Sequence, residues 1–255
     1  MKHKTPFITL LMLFLNSSAV LSQEYNAAVF NQNEKTLPYR ILLPESYESN
    51  KNYPLVLFLH GSGERGNDNE LQLFHGSKMF LDAEFREKNP AIVVFPQCPA
   101  DSYWATVEKN SSTKFSYFEK PKYNPTLSLV EGMLEQIILK YGVDQDRIYV
   151  GGLSMGGMGT FELVYRNPNK FAAAFAICGG AHPKIARKIK KPVWRIDHGD
   201  ADAVVPIEFS KAMVDALIKN KADVTYNWYT GVGHNSWENV FADPGFIPWL
   251  FSQKK

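Results

Sequence analysis

Val150-Gly151-Gly152-Leu153-Ser154-Met155-Gly156-Gly157-Met158-Gly159 is the stretch on which the fold of this chain turns. An apolar run, Ile148-Tyr149-Val150, enters Gly152-x-Ser154-x-Gly156, and a helical pattern follows at once. A serine set in that spacing between a buried strand and a helix reads as a nucleophile elbow. The turn is so tight that only small neighbours fit, so Gly152 and Gly156 let helix and strand approach closely. The hydroxyl then projects above the sheet, and the N–H of Met155 points where an oxyanion would form, with the helix dipole favouring negative charge there. The competing reading is a glycine-rich turn with an incidental serine, and the rest of the chain has to choose between them.

Working outward, continuous apolar runs of strand length occur at 55–59, 91–95, 148–150 and 172–177, and two further strands read at 193–196 and 224–229. Runs of this kind suit strands buried on both faces. Helical spacing separates them: mixed over 74–85, clear over 127–141, then from the elbow to Asn167-Pro168, over 207–219, and in a last helix over 245–253 capped by Asp243-Pro244. A basic stretch, 184–191, reads as a solvated helix face. Ahead of these, 27–30 and 37–43 flank Asn31-Gln32-Asn33-Glu34-Lys35, a hairpin signal. Alternation of this sort predicts a single α/β domain with a mostly parallel sheet of about eight strands and helices on both faces. No internal repeat or linker marks a second domain. Sites in such sheets form at the carboxyl ends of strands. The four polar loops there begin at His60, Ser154, His198 and Gly231, and they should gather on one edge.

An alcohol needs a base within hydrogen-bond reach, and the base needs an orienting acid. Downstream of Ser154 the strand-end loops supply Asp202 and then His234, with Asp200 as a rival to Asp202. Ser…Asp…His is the chain order of α/β-hydrolases. No metal-ligand spacing such as H-E-x-x-H is present. The one string like a dinucleotide fingerprint, Gly61-x-Gly63-x-x-Gly66, carries Glu64-Arg65 in its middle and has no clear helix start. No metal and no cofactor are expected.

Five segments carry a family resemblance: Leu59-His60-Gly61-Ser62-Gly63-Glu64-Arg65-Gly66, Pro96-Gln97-Cys98-Pro99, Arg147 to Gly157, His198-Gly199-Asp200-Ala201-Asp202, and Gly233-His234-Asn235-Ser236-Trp237. In this order they resemble the secreted α/β-hydrolase esterases, in particular the dienelactone-hydrolase, feruloyl-esterase and phospholipase/carboxylesterase-like group. The resemblance implies Ser154 as nucleophile, Asp202 as acid, His234 as base, and an oxyanion hole built from the N–H groups of Met155 and Ser62. It favours Asp202 over Asp200 through the His-Gly-x-x-Asp spacing. His60 and His198 are expected to hold loop geometry, Glu64 and Arg65 to brace the oxyanion loop as an ion pair, and Trp104 and Trp237 to line the substrate pocket. The expected activity is hydrolysis of carboxylic esters through an acyl-enzyme. A prolyl-oligopeptidase-like peptidase and an idle hydrolase fold that binds carbohydrate or a partner are the alternatives.

The composition agrees with a globular enzyme: 45% hydrophobic, 21% charged and a net charge of +2 in 255 residues. So near a balance gives no footing for nucleic acid or an anionic membrane. Lys2, His3 and Lys4 precede the apolar run 7–15 and then small and polar residues, which reads as a secretory signal over 1–22, cleaved near Ser22-Gln23. The run is too short for a stable membrane anchor. The catalytic domain is then 23–255, exported to a periplasm or outside the cell. Export raises the question of Cys98 and Cys178. The fold sets two strands between theirs, roughly 14 Å apart at about 4.8 Å per spacing, beyond the reach of a disulfide at about 7 Å. Between 96 and 125 no regular period is found, yet Trp104, Phe115, Tyr117, Phe118 and Tyr123 fall there. Long loops of this kind tend to be functional. This one is expected to pass over the catalytic edge as a lid that reads sugar rings or aromatic acyl groups.

Overall fold

The computed structural model describes residues 25–109 and 115–255, so the expected signal segment lies outside the described residues. β1 (Asn26–Gln32) and β2 (Lys35–Leu42) form the expected hairpin. They are followed by β3 (Tyr53–Leu59), α1 (Ala83–Lys88), β4 (Ile92–Pro96), β5 (Val107–Lys109) and β6 (Phe115–Tyr117). Then come α2 (Pro125–Lys140), β7 (Val143–Leu153), α3 (Met155–Arg166), β8 (Ala173–Ile177), β9 (Val193–Gly199), α4 (Glu208–Lys219), β10 (Val224–Tyr229), α5 (Trp237–Ala242) and α6 (Phe246–Phe251). Eight strands make one sheet in the order β1-β2-β4-β3-β7-β8-β9-β10. β2 runs antiparallel to β1 and β4, and every other pairing is parallel. This is the α/β-hydrolase architecture. β5 and β6 make a separate small hairpin.

The strands alternate between two cores with a period of 2. Leu55, Leu57 and Leu59 of β3 face one core together with Val94, Val150 and Ala176, and α2, α3 and α4 cover it with Leu134, Phe161 and Leu217. Val56 and Phe58 face the other core with Phe95, Tyr149 and Phe175, under Phe80, Phe85, Phe246 and Leu250. Being buried on both faces explains why these strands read as unbroken apolar runs. α2 begins where Asn124 Oδ1 accepts the Leu127 N–H (3.0 Å) with Pro125 next in line. Such a cap is worth about 1 kcal/mol. The helix stops before Gly142, where a Cβ would collide with the Lys51 carbonyl oxygen. At the far end of the chain, the Lys255 N–H donates to Asp146 O (3.0 Å) and Tyr149 Oη–H to Gln253 O (2.9 Å), tying the last residues to the start of β7.

Two helical expectations are corrected. Residues 74–85 do not form one helix: 3₁₀ turns at Leu71–Leu73 and Ser77–Phe80 precede the short α1, because Gly76 takes φ +80°. The basic stretch forms only a 3₁₀ turn, Pro183–Ile185, and Ala186 and Ile189 in it are fully buried. The insertion contains the β5–β6 hairpin, whose tip, 110–114, lies outside the described residues. Cys98 and Cys178 are free, buried thiols with β3 and β7 between their strands. Among the described residues no helix is long and apolar enough to cross a membrane.

Candidate active site

Ser154 joins β7 to α3 with φ 54° and ψ −116°, a conformation costly to any residue with a Cβ. Hydrogen bonds hold it there: its N–H donates to Ile177 O (2.8 Å) and its carbonyl accepts from the Met158 N–H (3.0 Å). A Cβ on Gly156 would sit on the Leu59 carbonyl oxygen, and one on Gly152 would meet Gly156 C at 2.8 Å. Glycine at these two positions is therefore what lets α3 start against the ends of β3 and β7. Strand-to-helix strain of about 1–3 kcal/mol is thus spent on aiming one hydroxyl.

That hydroxyl meets His234, on the loop after β10. His234 Nε2 lies 2.9 Å from Ser154 Oγ, and His234 Nδ1 lies 2.7 Å from Asp202 Oδ2, on the loop after β9. The elbow serine, Asp202 and His234 thus form one continuous chain of hydrogen bonds, 80 and 32 residues apart in sequence. Asp202 Oδ1 accepts the Val204 and Val205 N–H groups at 2.8 and 2.9 Å, and His198 Nε2 also approaches Oδ2, at 3.0 Å. Burial alone would raise the carboxyl, but the donors from His198, His234, Val205 and Val204 outweigh it and hold Asp202 well below the usual carboxylate range. The carboxylate is therefore ionised and takes the Nδ1 hydrogen, leaving Nε2 free to accept from the hydroxyl. Asp200 is elsewhere: its side chain is spent on the Gly231 N–H (2.6 Å), pinning the β9 loop to the β10 loop.

The two amides expected to face an oxyanion flank the elbow. Met155 N–H opens α3, among the first amides that an α-helix leaves without intrahelical partners. Ser62 heads a 3₁₀ turn, Ser62–Glu64, and a Cβ on the preceding Gly61 would meet Leu153 Cδ1 at 2.8 Å, so this turn lies directly against the end of β7. His60 locks its base. Its Nδ1 donates to Gly61 O (2.6 Å) and its Nε2 accepts the Cys98 N–H (2.9 Å), which ties the loop after β3 to the one after β4. Burial pushes His60 down to about 4, in keeping with a neutral ring. Arg65 braces the loop through the carbonyls of Ser62 (3.0 Å) and Ser102 (3.1 Å). The expected Glu64–Arg65 ion pair is not how it does so, since Glu64 turns to His75, 3.8 Å away.

Trp104 is corrected as a pocket residue. It is fully buried, donates from Nε1 to His60 O (3.1 Å), stands edge-on to the His60 ring, and would fill the space a Cβ on Gly159 needs. It fastens the root of the insertion to the loop after β3. Trp237 does stand beside the site, its ring centroid 5.5 Å from that of His234. From it a row of rings continues outward through His75 (5.0 Å) to the exposed Phe74 (4.7 Å). The insertion is seated rather than loose: Phe115 and Ala105 pack with Met158 and Val205, and Glu162 accepts the Thr106 N–H (2.6 Å) and hydroxyl (2.8 Å). Sequence reading gave His198 a loop-holding role without its contact to Asp202, and it missed Glu162. His198 stands four residues before Asp202 in the His-Gly-x-x-Asp motif, which was the available signal; Glu162 had none. Of possible metal ligands, Cys178, Asp202 and His234 bring one donor atom each within 4.8 Å of one another. Burial pushes the Cys178 thiol far up, so this set offers no thiolate, and its other two donors already bind each other.

Residues 46–244 match the family described as phospholipase/carboxylesterase. The chain is 27% identical over 173 residues to the bifunctional acetylxylan esterase/xylanase XynS20E of Neocallimastix patriciarum, a match covering 68% of this chain and 22% of that protein. It is 24% identical to the "Probable feruloyl esterase C" of Aspergillus terreus, over 74% of this chain and 63% of that one. A crystal structure of a thermostable esterase superposes with TM-score 0.84 and 32% identity over 92% of this chain and 64% of that chain. A ferulic acid esterase from Anaeromyces mucronatus shares the fold, with TM-score 0.66 and 18% identity over 90% of each chain. The chain thus spans about a fifth to under two thirds of the first relatives it matches.

Proposed function

Since the chain belongs to the phospholipase/carboxylesterase family of α/β-hydrolases, we propose that it is a serine esterase that cleaves carboxylic esters through an acyl-enzyme. The unbroken chain of hydrogen bonds Ser154–His234–Asp202 carries this reading. Ser154 Oγ attacks the ester carbonyl carbon as His234 Nε2 takes its proton, and Asp202 holds the imidazolium that forms. The carbonyl oxygen, now an oxyanion, accepts from the N–H groups of Met155 and Ser62. Collapse expels the alcohol, which takes the proton from His234. Water then repeats the sequence on the acyl group and frees Ser154.

The substrates we propose are esters carried on carbohydrate or esters of aromatic acids. The ring row Phe74–His75–Trp237 beside His234 and the aromatic insertion support that choice, as do the names of the relatives. Export to a periplasm or outside the cell is proposed from the basic-apolar start of the chain. A fluorophosphonate probe tests the chemistry: it should label the protein, and Ser154→Ala should abolish both labelling and ester hydrolysis. A screen of acetyl, longer acyl and cinnamoyl esters beside prolyl peptides tests the substrate. Turnover of prolyl peptides alone would replace the esterase reading with a peptidase one.

A further inference from the structure

An ester has two halves, and they leave Ser154 by different routes. The acyl half becomes bonded to Ser154 Oγ, at the head of α3, while the alcohol half departs with the proton that His234 Nε2 hands it. Two aromatic surfaces flank this pair, and they stand on different elements. The insertion rests on α3 and on the loop after β9: Phe115 packs with Met158, one helical turn beyond Ser154, and with Val205. The other surface begins on the base itself. The Trp237 ring stands edge-on to His234 with centroids 5.5 Å apart, His75 follows at 5.0 Å and Phe74 at 4.7 Å. Its outer members come from the chain after β3, where Glu64 Oε1 lies 3.8 Å from His75 Nε2. The row thus lies where the proton is delivered, and the insertion lies where the acyl group is held.

Phe74 gives no service to the fold. Its surface is 69% exposed and it belongs to neither core, although the turn that carries it is fixed. Leu73 and Ser77 are buried, Tyr25 Oη–H donates to Ser77 O (3.0 Å), and a Cβ on Gly76 would press on Phe58 and Phe241 at 3.0 and 3.1 Å. Continued by His75 and Trp237, the exposed ring makes an aromatic lip rimmed by polar groups, the form that marks a ligand site. The rim is acidic. Glu64 reaches His75, and Glu238, bonded by Asn235 Nδ2 (3.2 Å), is the other carboxylate close enough to act on that ring. Ring faces take the C–H faces of a sugar, and carboxylates accept from its hydroxyls. A hydrocarbon alcohol would use the rings alone, and an anionic one would meet like charge. We propose that Phe74, His75 and Trp237 form the subsite for the alcohol half of the substrate, and that this alcohol is a neutral sugar. The proposal rests on the reading of Ser154, His234 and Asp202 as an esterase triad. The row then reads the alcohol whichever acid is esterified to it.

Matched esters, one acid on two alcohols, test it: a feruloyl arabinoside against methyl ferulate, and an acetylated methyl xyloside against ethyl acetate. The wild type is expected to show the higher kcat/KM on the sugar ester of a pair. Phe74→Ala truncates an exposed ring and leaves both cores intact. It is expected to lower kcat/KM on the sugar ester by about two- to tenfold, the range of a lost ring contact, and on the alkyl ester by much less. Phe74→Tyr, which keeps the ring, should restore the difference. Equal losses on both members of a pair would overturn the proposal, as would a wild type without preference for the sugar ester. So would a loss that follows the acid, ferulate against acetate, at constant alcohol, because the row would then read the acyl half. Failure of the esterase reading looks different: the wild type takes no fluorophosphonate label and cleaves neither ester of a pair, and the subsite falls with it.

Discussion

At the scale of single residues, the site is a set of side chains whose protonation is fixed by what surrounds them. Asp202→Asn keeps shape but presents the wrong hydrogen to His234, so ester hydrolysis should fall about 10⁴-fold. Asp200→Asn, which touches only the Gly231 amide, should cost little, and the reverse ranking would reassign the acid. His60 makes a prediction about pH. Its ring is held near 4 when folded and titrates near 6.5 when unfolded. Between those values the unfolded chain binds the proton and the folded one does not, so stability falls as pH drops through that window. The loss should approach about 3 kcal/mol by pH 4. Urea unfolding at pH 7 and pH 4.5 checks it: His60→Gln should flatten this dependence, and an unchanged slope would assign it to other groups. At this scale the sequence was most readable for the proposed triad, because strand-end loops and chain order predict that Ser154, Asp202 and His234 meet, and the three are hydrogen-bonded in series. Trp104 misled because an aromatic near a motif looks the same in sequence whether it faces a ligand or, as here, a carbonyl beneath the loop.

Among the elements, what matters is how β9 and β10 are locked before their loops leave the sheet. Arg195 Nε donates to Asp197 Oδ2 (2.9 Å), while Nη2 reaches Asp197 Oδ1 (3.2 Å) and Asp243 Oδ2 (2.7 Å). Asn227 and Tyr229 of β10 donate to Asp197 Oδ1 at 2.8 and 3.0 Å. Asp197 has no exposed surface. Asp197→Asn should therefore destabilise by about 3 kcal/mol, the usual cost of breaking a buried pair from one side, seen as a lower urea midpoint. An unchanged midpoint would show that strand pairing alone holds the two loops. The insertion gives a second element-scale outcome. Replacing 109–120 by a short glycine linker removes Phe115 and Tyr117 from their seat by Met158, Val205 and Phe209. The kcat/KM on a cinnamoyl ester should fall well below its original value while p-nitrophenyl acetate is nearly unaffected; equal losses would show that the segment does not select substrate. Strands and long helices were legible because burial on both faces writes continuous apolar runs. The 74–85 and 184–191 segments were not, because buried apolar residues such as Phe80 and Ile185 anchor short 3₁₀ turns with nearly helical spacing.

For the whole molecule, stability comes from two continuous cores on either side of one sheet, with no covalent link across it. Both thiols are buried, and Cys98 is pushed up to about 12 by burial. A thiol reagent should thus find close to no reactive sulfur in the folded protein and two per chain after denaturation, and reductant should leave Tm unchanged. A Tm lowered by reductant would mean that the sulfurs pair in solution. Overall topology was readable in advance because alternating strands and helices allow few right-handed arrangements; the small β5–β6 hairpin was not, since strands of three residues leave no period to detect. The ends of the chain follow from the same layout. Lys255 is bonded to Asp146, in the irregular amino-terminal part of β7 ahead of its continuous register from Ile148, whereas Ser154 lies past its carboxyl end. From Ile148 to Ser154 the strand spans about 20 Å at ~3.3 Å per residue. Anything joined behind Lys255, whether a tether, a dye or a solid support, therefore departs from the reverse side and leaves the mouth of the site facing the solution.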